Sequence, residues 1–320
     1  MLKYVLRRLG ETIPTTIGIL LLTFVLFNVV GGSPAEVVLG KNATAESIAA
    51  FNHKWGYDKP LIIGNREEGR GNGGWWDSQF FNFIGGICKG DFGYSLENQE
   101  PVLDVLKRGV GPSLSLTVPI LLGGVVVALM LATLSAATRG GWADRAILVF
   151  SAVLMSVNYV VWVLAGQFFL SYKAELFPVW GYEGAFYLVL PVLIGILSSL
   201  GTDVRFFRTA ILDEVYKPYV LTARAKGLSG WTIMTRHVLR NALIPIVTYV
   251  SLSIPYLFTG SLLLESFFGI PGLGSVSINA IHSADMAVVR AVVVLGSLLY
   301  QFVNLLTDIL YATLDPRVRI

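Results

Sequence analysis

The chain has 320 residues, of which 54% are hydrophobic and only 14% charged, and its mean hydropathy is +0.66. A soluble domain of that size and composition would expose far more apolar surface than water tolerates, which leaves an integral membrane protein. The net charge of +3 excludes nothing by itself, while the single cysteine, Cys88, allows neither an internal disulfide nor a thiolate metal cluster and reads as a small hydrophobe, buried or at the interface.

A spanning helix needs about 20 mainly apolar residues. Six stretches meet that length: residues 12–30, 112–138, 146–170, 186–204, 243–264 and 289–311. Lys and Arg collect in the segments that would stay cytoplasmic with both termini inside: Lys3, Arg7 and Arg8, then Arg139 and Arg145, then seven between Arg205 and Arg240, then Arg317 and Arg319. The opposite loops are poor in them. Residues 171–187 offer Lys173 against Glu175 and Glu183, and residues 265–288 hold Glu265 and Asp285 with no Lys or Arg. The first span also has the look of a secretory signal, but it is longer than a usual signal core and no Ala-x-Ala site follows, so it reads as an uncleaved anchor.

This gives four divisions: residues 1–30 (N-terminal segment and first span), an extracytoplasmic segment 31–111, a five-span core 112–311, and a cytoplasmic tail 312–320. The external segment carries an expected helix from Thr44 to Trp55, with Thr44 as N-cap and Glu46 in the first turn. It continues into GRGNGGWWDSQFFNFIGG, where Trp75, Trp76, Phe80 and Phe81 need an apolar surface. An aromatic belt at the lipid interface and a docking surface for an external binding protein both answer that need.

Pro14, Pro119, Pro191, Pro245 and Pro255 fall within the spans and mark expected bends, chiefly in spans four and five. Asn158, Tyr159, Ser253 and Tyr256 are polar groups that would either line a pathway or hydrogen-bond between helices. Ion-coupled transport usually places carboxylates, histidines or lysines in the bilayer core. These spans hold almost none: Asp203 and Asp308 lie toward span ends, and the three histidines sit in loops. There is no HExxH, no GxSxG and no set of residues spaced for a metal, so an enzyme has little support. There is no GxxxxGK[ST] either, so any ATP must be bound by another subunit.

Between spans four and five lies a basic interval, residues 205–241, containing LTARAKGLS. Pro218 disfavours helix at Lys217 yet suits the first position of a new helix, and Gly227 suits the position just past a helix end. A separate helix from Pro218 to Lys226 is therefore expected, with Ser229 capping the next one from Trp231 to Asn241. So short a helix is marginal alone. Thr222, Ala223 and Ala225 permit close approach, Tyr219 and Leu228 offer anchors, and Arg224 and Lys226 offer charge, which suits a helix seated in a groove of another protein as well as a solvated connector.

The run YVLTARAKGLSGWTIMTRHVLRNALIP resembles the cytoplasmic signature loop of permease subunits of ABC importers, in the branch serving dipeptides, oligopeptides, nickel and related solutes. LKYVLRRLGETIPT, WGYDKPL, GDFGYSL, FTGSLLLESFFGIPGLG and YATLDPRVR resemble that branch too. The loop departs from the general importer pattern at Leu221, where Glu is usual, and at Arg240, where Pro is usual; both departures fit the peptide branch. The resemblance implies an all-α type I importer permease of six spans, which carries out no catalysis and binds no cofactor of its own. It further implies a homologous permease partner, two P-loop ATPases holding ATP and Mg, and a secreted solute-binding protein, with no nucleic acid involved. Pro218 to Lys226 becomes the coupling helix of an ATPase-coupling loop that runs on to Leu228, and Ala223 and Gly227 fill the positions where small residues meet the ATPase. A peptide is the expected solute and an oligosaccharide the alternative; a stand-alone secondary transporter or channel is the rival of a different class.

Overall fold

The computed structural model describes residues 2–30, 35, 39, 43–62, 76–95, 97–254, 257 and 261–314. Trp75, Pro255, Tyr256 and the tail from residue 315 lie outside the described residues. The described chain is helical. In order it forms α1 (Leu2–Val25, continued by a wider π-type turn Leu26–Val30), α2 (Ala45–Trp55), α3 (Gln79–Lys89), α4 (Val102–Ala137), α5 (Trp142–Ser156) and α6 (Tyr159–Gly166, continued as π-type helix Gln167–Lys173). Then come α7 (Ala185–Val215), α8 (Pro218–Ala225), α9 (Gly230–Thr232, Ile233–Val238 and Leu239–Ser251 in sequence, the middle piece π-type), α10 (Leu262–Phe268), α11 (Leu273–His282) and α12 (Met286–Leu314).

By length and composition, four helical stretches can cross a membrane: Gly10–Asn28, Val102–Ala137, Ala185–Val215 and Met286–Ile309. The number rises to six if each of two bent pairs counts as one span. The expected third span is the first such pair, α5 and α6, bent by 92°. Its break holds no proline. Val157 is extended, and the Asn158 side chain accepts from the Val160 amide to start a fresh helix. Conversely, the expected bend points Pro119 and Pro191 sit inside unbroken helices, and so does Pro245. A proline removes one hydrogen bond, which packed neighbours in a bundle can compensate, whereas a competing cap ends a helix outright.

The second bent pair, α10 with α11 at 82°, lies where an external loop was expected over residues 265–288. The expected fifth span, residues 243–264, is represented by α9 up to Ser251 and by the start of α10.

The chain divides into two compact units. One comprises residues 110–275 and the chain from Leu306 on; the other comprises residues 2–109 and 276–305. In the first, an apolar cluster joins Ala128, Ala132 and Ala136 of α4 with Leu154 of α5, Leu200 to Ile211 of α7, Val220 and Ala223 of α8, and Ile233 to Ile246 of α9. α4 and α7 approach through reciprocal glycine and isoleucine pairs: a Cβ on Gly123 would lie 2.7 Å from Ile196, and one on Gly195 would lie 2.5 Å from Ile120. Small residues let transmembrane helices pack closely where lipid offers no hydrophobic drive. In the second unit, Phe24 of α1 is fully buried against Phe80 of α3, ring edge to face at 5.3 Å.

Candidate functional site

The sequence punctuation around residue 220 works as local chemistry predicts. Lys217 is extended (φ −73°, ψ 149°) ahead of Pro218, the first residue of α8, and Gly227 takes a left-handed φ of +76° just beyond the helix. The Gly227 amide donates to Arg224 O at 2.9 Å and the Leu228 amide to Ala223 O at 3.3 Å, which closes the helix end. The Ser229 hydroxyl then accepts from the Thr232 amide and opens α9.

One face of α8 is fixed to its own chain. Val220 and Ala223 are buried in the cluster formed with α7 and α9. The Tyr219 hydroxyl donates to Glu214 Oε2 at 2.8 Å, and Lys217 Nζ donates to Oε1 of the same carboxylate. Burial, with the Glu214 carboxylate beside it, pushes the Tyr219 phenol above its ordinary value, while Asn241 draws it back; it stays a neutral donor. Behind this contact, Arg208 of α7 grips Asp144 of α5 with both arms, Nε to Oδ1 and Nη2 to Oδ2, each at 3.0 Å. Ser135 of α4 donates to the same carboxylate, as does the Gly140 amide at 2.9 Å. Asp144 is buried and Arg208 partly so, and each carboxylate oxygen accepts twice, the condition under which such an ion pair holds shape.

The other face is bare. Leu221 is 66% exposed and Trp231 68%, and Thr222, Arg224, Ala225, Lys226, Gly227 and Leu228 are exposed with them. Ala223, which the resemblance places against an ATPase, has its side chain in the chain's own core, so its small size serves the packing of α8 on α9. A Cβ on Gly227 would meet nothing within 4 Å; within this chain its backbone angle alone asks for glycine.

Asn158 is occupied as the cap of α6, and Tyr159 brings its hydroxyl to 3.3 Å from Ser261 Oγ. Ser253 is half-buried, its amide donating to Val250 O, and Tyr256 is outside the described residues. Of the aromatics, Phe80 packs inside against Phe24, while Trp76 is 70% exposed and stands edge-on to Phe81 at 4.6 Å. Cys88 is exposed on α3, not buried.

Residues 106–320 match the family of binding-protein-dependent transport system inner membrane components, and residues 1–117 match the N-terminal family of the same membrane components. The chain belongs to this family of ABC importer permeases. The permease is 31% identical over 99% of its length to a probable peptide ABC transporter permease of Sinorhizobium fredii, covering 99% of that protein. It is 30% identical, over its full length and 99% of theirs, to the glutathione transport system permeases of Escherichia coli K12 and Salmonella typhimurium. As a transport subunit of the inner membrane, the permease is not a catalytic enzyme.

One group in the permease escaped sequence reasoning. Glu265 of α10 is fully buried, yet it accepts from the Ser113 hydroxyl of α4 (2.7 Å) and from the amides of Ser261 (3.0 Å), Gly274 (2.6 Å) and Ser275 (3.1 Å). The same Ser113 oxygen accepts from the Leu273 amide at 2.7 Å. A Cβ on Gly272 would fall 2.4 Å from Glu265 Oε2, and one on Gly274 2.8 Å from it. The glycines of GIPGLG thus clear space for a carboxylate that folds the loop from Ser261 to Ser275 around itself. The legible signal was an acid nine residues before a glycine in a Gly-Pro-Gly-rich turn; its burial was not legible.

Proposed function

We propose that this permease forms half of the translocation pathway of an ATP-driven importer of di- or oligopeptides. The observation that carries the reading is the two-faced α8: one side locked to α7 and α9 through Val220, Ala223 and Tyr219, the other presenting Leu221 and Arg224, with Lys226, Leu228 and Trp231 exposed just beyond its end. Exposed apolar side chains interspersed with cations are what a docked partner covers. In this reading a P-loop ATPase holding ATP and Mg seats against that face, a homologous permease with a second ATPase completes the assembly, and an extracytoplasmic binding protein delivers solute. Both termini and α8 lie on the cytoplasmic side, as the distribution of Lys and Arg supports.

Closure of the ATPases moves α8, and the fully paired Arg208–Asp144 contact carries that displacement into α4, α5 and α7 without slack. The peptide assignment is supported by the names of the full-length relatives in Sinorhizobium fredii and the enterobacteria, glutathione being a tripeptide. The test is reconstitution: the permease is purified with its companion subunits into proteoliposomes with ATP inside, and the binding protein is loaded with peptides or with oligosaccharides. ATP-dependent uptake of peptide is expected. Uptake without ATP would overturn the importer mechanism, and uptake of the sugars alone would overturn the solute.

A further inference from the structure

A second site lies in the unit made of residues 2–109 and 276–305. A half-open pocket of about 450 Å³ is lined by Asn28 of α1, Tyr57, Asn82 and Phe83 of α3, Asp91 and Arg290 of α12, with apolar neighbours completing its walls. That volume falls within the roughly 300–1,000 Å³ of small-molecule sites.

Arg290 is the informative group. It sits one turn into the candidate span Met286–Ile309, half-buried, and among the described residues no carboxylate lies within ion-pair distance of it. Its guanidinium stands over the Phe83 ring at 5.4 Å and makes one long hydrogen bond, Nη1 to Asn28 Oδ1 at 3.4 Å. A guanidinium offers five donors in a planar fork and carries its charge at every accessible pH. Held between an aromatic face and a neutral amide, it retains unused donors beside an open cavity.

Depth narrows the ligand. Asn28 closes the candidate span Gly10–Asn28, and Arg290 lies near the opening of the last one, so their contact marks the level at which both apolar stretches end. That is the level of lipid head groups, where a polar head and an apolar body meet the same site. Phe83, Ile87, Phe92 and Val294 line the apolar part of the cavity. Asp91, whose Oδ1 accepts from the Gly93 amide at 3.0 Å, lines it too and is exposed, so it can accept from a donor on the head group.

We propose that this pocket binds one membrane glycerophospholipid, its phosphodiester on Arg290 and a hydroxyl or ammonium of its head group toward Asp91. A monoanionic phosphate on a planar guanidinium uses the fork geometry, and Asp91 disfavours dianionic phosphates.

The permease, purified with the subunits that accompany it, is placed in nanodiscs of phosphatidylcholine doped with phosphatidylglycerol, phosphatidylethanolamine or phosphatidic acid, and retained lipid is counted by native mass spectrometry. One phosphatidylglycerol or phosphatidylethanolamine retained per chain is expected, in preference to phosphatidylcholine and phosphatidic acid. Arg290→Gln should weaken retention by about tenfold or more, the loss of a charged hydrogen-bonding partner. Arg290→Lys should recover only part of it, because an ammonium lacks the fork. Asn82→Trp, at an exposed position on the pocket wall, should reduce retention without touching the charge, which keeps the test open if the Arg290 variants assemble poorly. Retention at the wild-type level in both Arg290→Gln and Asn82→Trp would overturn the site. Displacement of the lipid by millimolar inorganic phosphate would reassign it to a free anion, and displacement by a short peptide with a free carboxylate would reassign it to the transported solute; either overturns the lipid assignment.

Discussion

Two loops of the permease solve opposite problems with the same few residue types. The loop from Lys217 to Ser229 puts one side of a short helix into the core and leaves Leu221, Arg224, Lys226 and Leu228 in the open. The loop from Ser261 to Ser275 turns inward, the amides of Ser261, Gly274 and Ser275 aimed at Glu265, with Leu264, Phe268 and Ile270 buried around it. Both use glycine, but for different reasons: Gly227 for a left-handed backbone with empty space beside it, Gly272 and Gly274 for room beside a carboxylate. The first loop leaves its charged and apolar groups in the open; the second turns three amides onto one buried carboxylate.

The comparison is broken most sharply at Glu265. Glu265→Ala should strand several buried donors at about 1–3 kcal/mol each and lower the melting temperature of the detergent-purified permease more than any other change named here. An unchanged melting temperature would mean the carboxylate is not what shapes the loop. Gly227→Val comes next, because a branched side chain in left-handed backbone costs about 1–2 kcal/mol. The chain should still insert, and ATP-dependent uptake should fall far more than stability does; uptake at the wild-type level would show that this turn does not sit against a partner.

How much of these two loops was legible follows from what residue patterns encode. Pro218, Gly227 and Ser229 act on their own backbone, so the bounds of α8 and the cap of α9 could be read directly. Thr44 likewise caps α2 through the Ser47 amide, as expected. Burial of Glu265 depends on Ser113, 152 positions away, and an isolated acid in a short loop carries no mark of such a partner. The break at Val157 was missed because the run around it is as apolar as a continuous span; only Asn158, whose side chain caps the new helix, marks it. Ala223 is buried by its own chain, a placement its small size did not announce, since small residues pack inward as readily as outward.

Smaller effects sharpen the contrast. Tyr219→Phe removes one hydrogen bond to Glu214 and should cost about 1 kcal/mol of stability, read as a modest drop in melting temperature. Its larger consequence should be looser coupling: ATP hydrolysis by the assembled transporter should continue with less solute moved per ATP. The smallest structural effect belongs to the bare face. Leu221→Ser with Trp231→Ser should change stability by no more than about 0.5 kcal/mol, since neither side chain is buried. Yet this pair should release the ATPase during purification. Retention of the ATPase by the double variant would move the docking surface elsewhere.

The interlocked glycines and isoleucines of α4 and α7 set a rule for motion. With Ile120 seated over Gly195 and Ile196 over Gly123, sliding one helix along the other by a single residue would drive a branched side chain into backbone. The two helices therefore mesh like teeth, each isoleucine tip filling the space that a missing Cβ leaves. A movement that reaches either helix is therefore expected to carry the other with it.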